Sequence, residues 1–151
     1  MDEIVSPDSS IYARYLLSKA RHFMTKARRK ELAPYNISPR QVYIVDLLVD
    51  LGHKATLAEL ARYTDRGINT LSVQLTRMER DGIIKKVRET PKSTLLKFEL
   101  TEKGQEIYKT CKKLKSIKTI MSALTEEERQ QFITMLKKII VKAEKYSSKL
   151  S

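Results

Sequence analysis

A mainly α fold with one small β-hairpin is predicted by three features of this 151-residue sequence. Glycine and proline are scarce, with four of each, which favours long helices over many short strands. Helix starts are written as Ser/Thr-x-x-Glu/Gln capping boxes at Ser38, Thr56 and Thr125. The apolar period changes from 3.6 to 2 only once, in "IIKKVRE" and "LLKFEL".

The first helix is expected from about Ser10 to Lys30, because Ile11, Tyr15, Leu16, Ala20, Phe23, Met24 and Ala27 recur at spacings of three and four. "LAPYNIS" ends it. Ser38-Pro39-Arg40-Gln41 opens the second helix, with serine at the cap and proline at the first helical position. It should bury Val42, Val45, Leu48 and Val49 and stop at Gly52. Thr56-Leu57-Ala58-Glu59 opens a short helix to Tyr63, and Thr64 to Gly67 form a four-residue turn. The next helix should bury Ile68, Leu71, Leu75 and Met78 and end at Asp81-Gly82, where the glycine suits a left-handed cap. "IIKKVRE" and "LLKFEL", joined by "TPKST", form an antiparallel hairpin with a basic tip. Thr101 then caps a long helix through Ile107, Cys111, Leu114, Ile117 and Met121. A last helix carries Phe132, Leu136, Ile139, Ile140, Ala143 and Tyr146, and its Glu126, Glu127 and Glu128 suit the positive end of the helix dipole. Short helix, turn and helix make a helix-turn-helix, and the hairpin behind it makes a winged helix. The segments divide as 1–36, 37–101 and 102–151.

The formal net charge is +12, which points to an anionic partner, nucleic acid or a membrane surface. No apolar run is long enough to span a bilayer, and "MDEIVSPDSS" lacks the basic start and apolar core of a signal peptide. The cytoplasm of a prokaryote is the expected location. The single cysteine, Cys111, excludes an internal disulfide and a thiolate metal cluster, and its register with Ile107 and Leu114 reads as a buried thiol. The two histidines, His22 and His53, lie in no metal-ligand spacing, and there is no phosphate-cradling glycine loop or nucleophile motif. No metal, cofactor or catalysis is expected.

Inward placement of Leu71, Leu75 and Met78 turns Val73 outward, beside Asn69, Thr70, Ser72, Gln74, Arg77 and Arg80. A helix in a DNA major groove needs short polar groups for base edges near its N-terminus and cations for phosphates at the rim. Asn69, Thr70, Ser72 and Gln74 fit the first need, and Arg77 and Arg80 the second. Val73 is either a contact for a thymine methyl or a plain exposed valine. In the hairpin, Arg88, Lys92 and Lys97 lie in or beside the tip, with Lys85 and Lys86 in the first strand. They would follow the DNA backbone or enter a minor groove, or else simply be solvated.

"ISPRQVYIVDLL", "TLAELARYTDRGINTLSVQLTRMERDGII" and "FELTEKG" together resemble the MarR family of winged-helix transcriptional regulators. The likeness is carried by their order and spacing, and with the flanking helices it extends over nearly the whole chain. It implies a homodimer, with 1–36 and 102–151 supplying dimerisation helices around the DNA-binding domain 37–101. It implies a palindromic site on double-stranded DNA and a repressor released by a small aromatic or phenolic ligand. By position, Thr70, Ser72 and Val73 fall on base-contacting residues and Arg77 on a phosphate clamp. The family's wing commonly carries Asp-x-Arg, where this chain has Lys92 and Thr94; a lysine lacks the planar fork of arginine. Val73 also stands where many members have arginine, which implies more reliance on shape or methyl contacts. Tyr12, His22, Arg40 and Tyr43 are the residues the resemblance offers for a ligand pocket, and packing accounts for each equally well. The rival reading from charge is a basic nucleic-acid coat without sequence preference, using Arg21, Lys26, Arg28, Arg29 and Lys30, with Lys109, Lys112, Lys113, Lys115 and Lys118.

Overall fold

The computed structural model describes residues 8–150; residues 1–7 of the N-terminal segment 1–36, and Ser151, lie outside it. The chain divides into two compact units, 1–114 and 115–151.

In the first unit, α1 spans Ser9–Leu32, and Asp8 accepts the Ser10 N–H at 2.8 Å to cap it. A 3-10 turn, Ala33–Tyr35, follows, and Asn36 in the left-handed region reverses the chain. The expected capping box closes α2 (Pro39–Asp50): Gln41 N–H donates to Ser38 Oγ at 3.2 Å and Ser38 N–H to Gln41 Oε1 at 3.0 Å. α2 buries Val42, Ile44, Val45, Leu47 and Leu48. Gly52 and His53 both take positive φ, and the chain enters β1, Lys54–Ala55. Thr56 and Glu59 close a second box on α3 (Leu57–Arg62). α4 spans Ile68–Arg80 and ends in a Schellman motif: Ile83 N–H donates to the Met78 carbonyl at 2.9 Å across Gly82 at φ 77°. β2 (Ile84–Val87) and β3 (Lys97–Leu100) pair antiparallel, Ile84 opposite Leu100 and Val87 opposite Lys97.

The hairpin is part of a three-stranded sheet in the order β1-β3-β2, with Ala55 opposite Phe98. A two-residue strand is too short to leave a period in the sequence, so β1 was not foreseen. The hairpin strands are also shorter than the runs "IIKKVRE" and "LLKFEL", because pairing stops at Val87 and Lys97. Ile68 is the further departure: it is 53% exposed rather than buried. As the first residue of α4 it lies beyond the last turn that the core covers, whereas Leu71, Leu75 and Met78 are buried as expected.

α5 spans Glu102–Lys113, with Gly104 N–H donating to the Thr101 hydroxyl at 3.1 Å. The helix expected to run from Thr101 through Met121 is broken. Leu114 is extended (φ −70°, ψ 144°), its N–H donating to Cys111 O at 3.3 Å, and helix resumes only at Ser116. Leu114 stays packed against the core together with the buried Ile107 and Cys111. α5 thus completes one apolar cluster, in which Leu32, Val45, Leu48, Leu60, Leu75 and Met78 have no accessible surface. Burial pushes the Cys111 thiol pKa up, only partly opposed by the nearby Arg28, so the thiolate needed for reactivity is disfavoured.

The second unit holds α6 (Ser116–Met121) and α7 (Glu126–Leu150). The box at Thr125 forms as expected, with Glu128 N–H to Thr125 Oγ1 at 3.1 Å and Thr125 N–H to Glu128 Oε1 at 2.9 Å. α7 buries no residue in the single chain. At 100° per residue, Phe132, Leu136, Ile139, Ile140, Ala143 and Tyr146 fall on one apolar arc about 120° wide.

Candidate nucleic-acid interface

The core fixes which face of α4 is presented. Leu71, Leu75 and Met78 point inward, so Asn69, Val73, Thr76, Arg77 and Arg80 lie within roughly 60° of the opposite direction at 100° per residue. Thr70 and Ser72 flank that strip, both exposed, and Gln74 is half-buried at its border. Val73 is 52% exposed. Of the expected residues, Asn69, Thr70, Ser72, Val73, Arg77 and Arg80 therefore share one solvent-facing surface, and Gln74 lies at its edge towards the core. Thr76 belongs to it too, one turn beyond Val73, and was legible from the same spacing. Its hydroxyl donates to the Ser72 carbonyl at 2.9 Å, which orients its methyl and oxygen along the face.

Two features suit this helix to anions. Its cap residue is Gly67, with no side-chain cap and no acid in the first turn, so the leading N–H groups and the positive dipole end remain open. Its last turn carries Arg77 and Arg80, and Arg80 leans on Asp81 (3.4 Å) while staying 72% exposed. An exposed pair of that kind is worth little and yields readily to a phosphate.

The mount is held from both sides. The Tyr43 hydroxyl on α2 donates to the Tyr63 carbonyl at 2.6 Å, just where the turn into α4 begins. Burial raises the Tyr43 pKa, against the lowering by Arg21 of α1 and with a further rise from Asp65 in the turn. Glu79 of α4 pairs with Lys86 of β2 at 3.8 Å.

The wing is a shaped loop. Ser93 N–H donates to Thr90 O at 3.0 Å, closing a turn through Pro91 and Lys92. Arg88 donates from Nη1 to the Ser93 carbonyl at 2.8 Å, so this expected contact residue also braces the tip. Lys97, expected in or beside the tip, is paired across the wing: its Nζ lies 2.5 Å from Glu89 Oε1. Of the three expected wing cations, Arg88 and Lys92 are exposed and neither has an ion pair among the described residues, Arg88 being held by its hydrogen bond to Ser93.

The four expected pocket residues are spread along two helices. Tyr12 is half-buried and stacks with Tyr15 at 6.4 Å. His22 sits ten residues on, roughly 15 Å along α1, with its ring edge-on to Phe23. Arg40 and Tyr43 share a face of α2, both exposed. An open groove on α1, lined by Ser18, Arg21, His22, Thr25, Lys26 and Arg29, takes in only His22 of the four.

Helix-turn-helix, three-stranded sheet and wing define a winged-helix protein. No protein-family model and no curated protein matches the sequence. Solved structures do match. The 2,4-dichlorophenol-bound form of the organohalide sensing transcriptional regulator RdhR superposes with a TM-score of 0.72 at 22% identity, covering 95% of this chain and 90% of its own. A cysteine-to-serine mutant of MarR from E. coli, complexed with operator DNA, gives 0.70 at 19%, covering 85% and 94%. MepR from S. aureus in its DNA-binding conformation gives 0.72 at 22%, covering 87% and 98%. The chain has the fold of the MarR-family transcriptional regulators, as the sequence resemblance implied. Among the described residues no helix is long and apolar enough to cross a membrane.

Proposed function

We propose that this chain is a sequence-specific, DNA-binding transcriptional regulator of the MarR type, without catalytic activity, that acts in the cytoplasm as a homodimer on a palindromic site. The observation that carries the reading is the outer face of α4. Polar side chains, an exposed valine and two arginines stand opposite a buried stripe, at a helix end left uncapped. Such a face offers donors, acceptors and a methyl contact to base edges while its cations hold phosphates. The net charge of +12 supplies the long-range attraction.

Dimerisation is supported by the apolar surface that each unit leaves in water. Ile11, Leu16, Leu17 and Phe23 of α1 and Ile133, Ile139, Ile140 and Tyr146 of α7 are all exposed in the single chain. Segments 1–36 and 102–151 are the dimerisation helices in this reading, with α5 also serving the core. Binding of a small phenolic ligand is supported by likeness to the dichlorophenol-bound RdhR, and in this reading the chain is a repressor that such a ligand releases, with Tyr12, His22, Arg40 and Tyr43 as the residues to probe.

Competition binding at one fixed salt concentration tests the function. A duplex from the DNA flanking the chain's own coding region should be preferred over scrambled duplex by about 10³-fold or more. Equal affinity for both would assign the chain to the sequence-indifferent basic class instead.

A further inference from the structure

Between residues 82 and 98 the sequence holds five cations, Lys85, Lys86, Arg88, Lys92 and Lys97, and a single acid, Glu89. That acid does not face the outside alone. Its Oε1 lies 2.5 Å from Lys97 Nζ, bridging the two arms of the wing above the last β2–β3 pair, Val87 and Lys97. The Lys97 side chain is 25% exposed and the Glu89 side chain 61%. Charges from two other elements reach the pair: Lys54 of β1 acts on Glu89, and Glu59 of α3 acts on Lys97. The pairing lowers the Glu89 pKa and raises that of Lys97, so both stay ionised across the neutral range.

A cation committed to a carboxylate releases no counterion from DNA, whereas a free one adds about 0.9 to the salt slope. We propose that Glu89 is an electrostatic brake in the wing, holding the Lys97 ammonium off the phosphates and so limiting how tightly the wing grips any duplex. Recognition by sequence is then left to α4, and the wing's phosphate contact to Lys92 and Arg88. This rests on the DNA-binding reading above and adds a residue that tunes its sequence-independent part. Glu89 is exposed and Lys97 half-buried, and neither belongs to the apolar core cluster, so either side chain can be replaced without opening the core.

The experiment measures duplex affinity of the full chain between 50 and 200 mM salt for wild type, Glu89→Gln and the double variant Glu89→Gln/Lys97→Gln. Thermal unfolding checks that all three are folded. With the brake released, Glu89→Gln should bind all duplexes more tightly at low salt. Its slope should steepen by about one unit, so that it loses roughly threefold more affinity than wild type across that range. The double variant, which removes a neutral pair, should return to the wild-type slope. An unchanged slope in Glu89→Gln with a slope lowered by about one in the double variant would overturn the proposal, because Lys97 would already sit on a phosphate. Unchanged slopes in both would overturn it as well, by placing the pair away from the duplex. In either case wild type still binds, so the DNA-binding reading survives; wild type that binds no duplex at any salt defeats that reading itself.

Discussion

Val73 and Arg77 lie four residues apart on one face of α4, and in the proposed DNA-binding reading each plays a different part. Val73 presents only methyl groups, so its contribution on DNA depends on which base edge it meets. Arg77 presents a delocalised cation, so its contribution depends on phosphate, which every sequence has. Arg77→Ala is therefore expected to weaken binding to all duplexes alike and lower the salt slope by about one unit. Val73→Ala is expected to leave the slope alone and change preference among sites, at about 1–3 kcal/mol for a direct contact. Parallel salt titrations on a preferred and a scrambled duplex separate the two. A selectivity change from Arg77→Ala with an unchanged slope would reverse the roles. At this scale the sequence was informative where a residue's direction follows from its own helix. The outward turn of Val73, Arg77 and Arg80 follows from the burial of Leu71, Leu75 and Met78. It was uninformative where a partner lies across a loop: nothing local to Lys97 announces Glu89, eight residues earlier.

Among the elements, those written by strong local chemistry were legible. The boxes at Ser38, Thr56 and Thr125 each set a helix start. Gly82 set the end of α4 through its positive φ. The β1 strand has two residues and owes its existence to pairing with β3, which lies more than forty residues away in sequence. The break at Leu114 has neither glycine nor proline to mark it; it appears where the side chain remains on the core as the backbone turns extended. One element joint has a sharp consequence. α5 approaches the start of β2 so closely that a Cβ on Gly104 would collide with the Ile83 carbonyl oxygen and the Leu100 side chain. Alanine favours a helix by about 1 kcal/mol over glycine, but the backbone carbonyl cannot swing aside as a side chain can. Gly104→Ala is expected to destabilise on balance, by about 1–3 kcal/mol. Urea unfolding reads this as a lower midpoint at an unchanged slope. A raised midpoint would mean that α5 and β2 part more easily than this packing allows.

For the whole molecule, the decisive quantity is how many copies act together. α7 leaves Ile139, Ile140 and Tyr146 at least half exposed on one arc, an apolar face that a partner would cover. Ile139→Asp removes no buried contact of the single chain, yet would set a charge on that apolar arc. Sedimentation equilibrium should show two chains for wild type and a shift towards one for Ile139→Asp. Two chains in both would move the interface off that residue. In the sequence, pairing is an expectation from the resemblance alone, because an amphipathic stripe does not say whether its cover is the same chain or another.

The central claim is that two copies of α4 enter successive major grooves on one side of a duplex. Footprinting of the wild-type protein on its preferred duplex tests this most directly. The account predicts two protected major-groove patches on the same face, related by a dyad and about 34 Å, one helical turn, apart. A single patch, or uniform protection along the duplex, would contradict it.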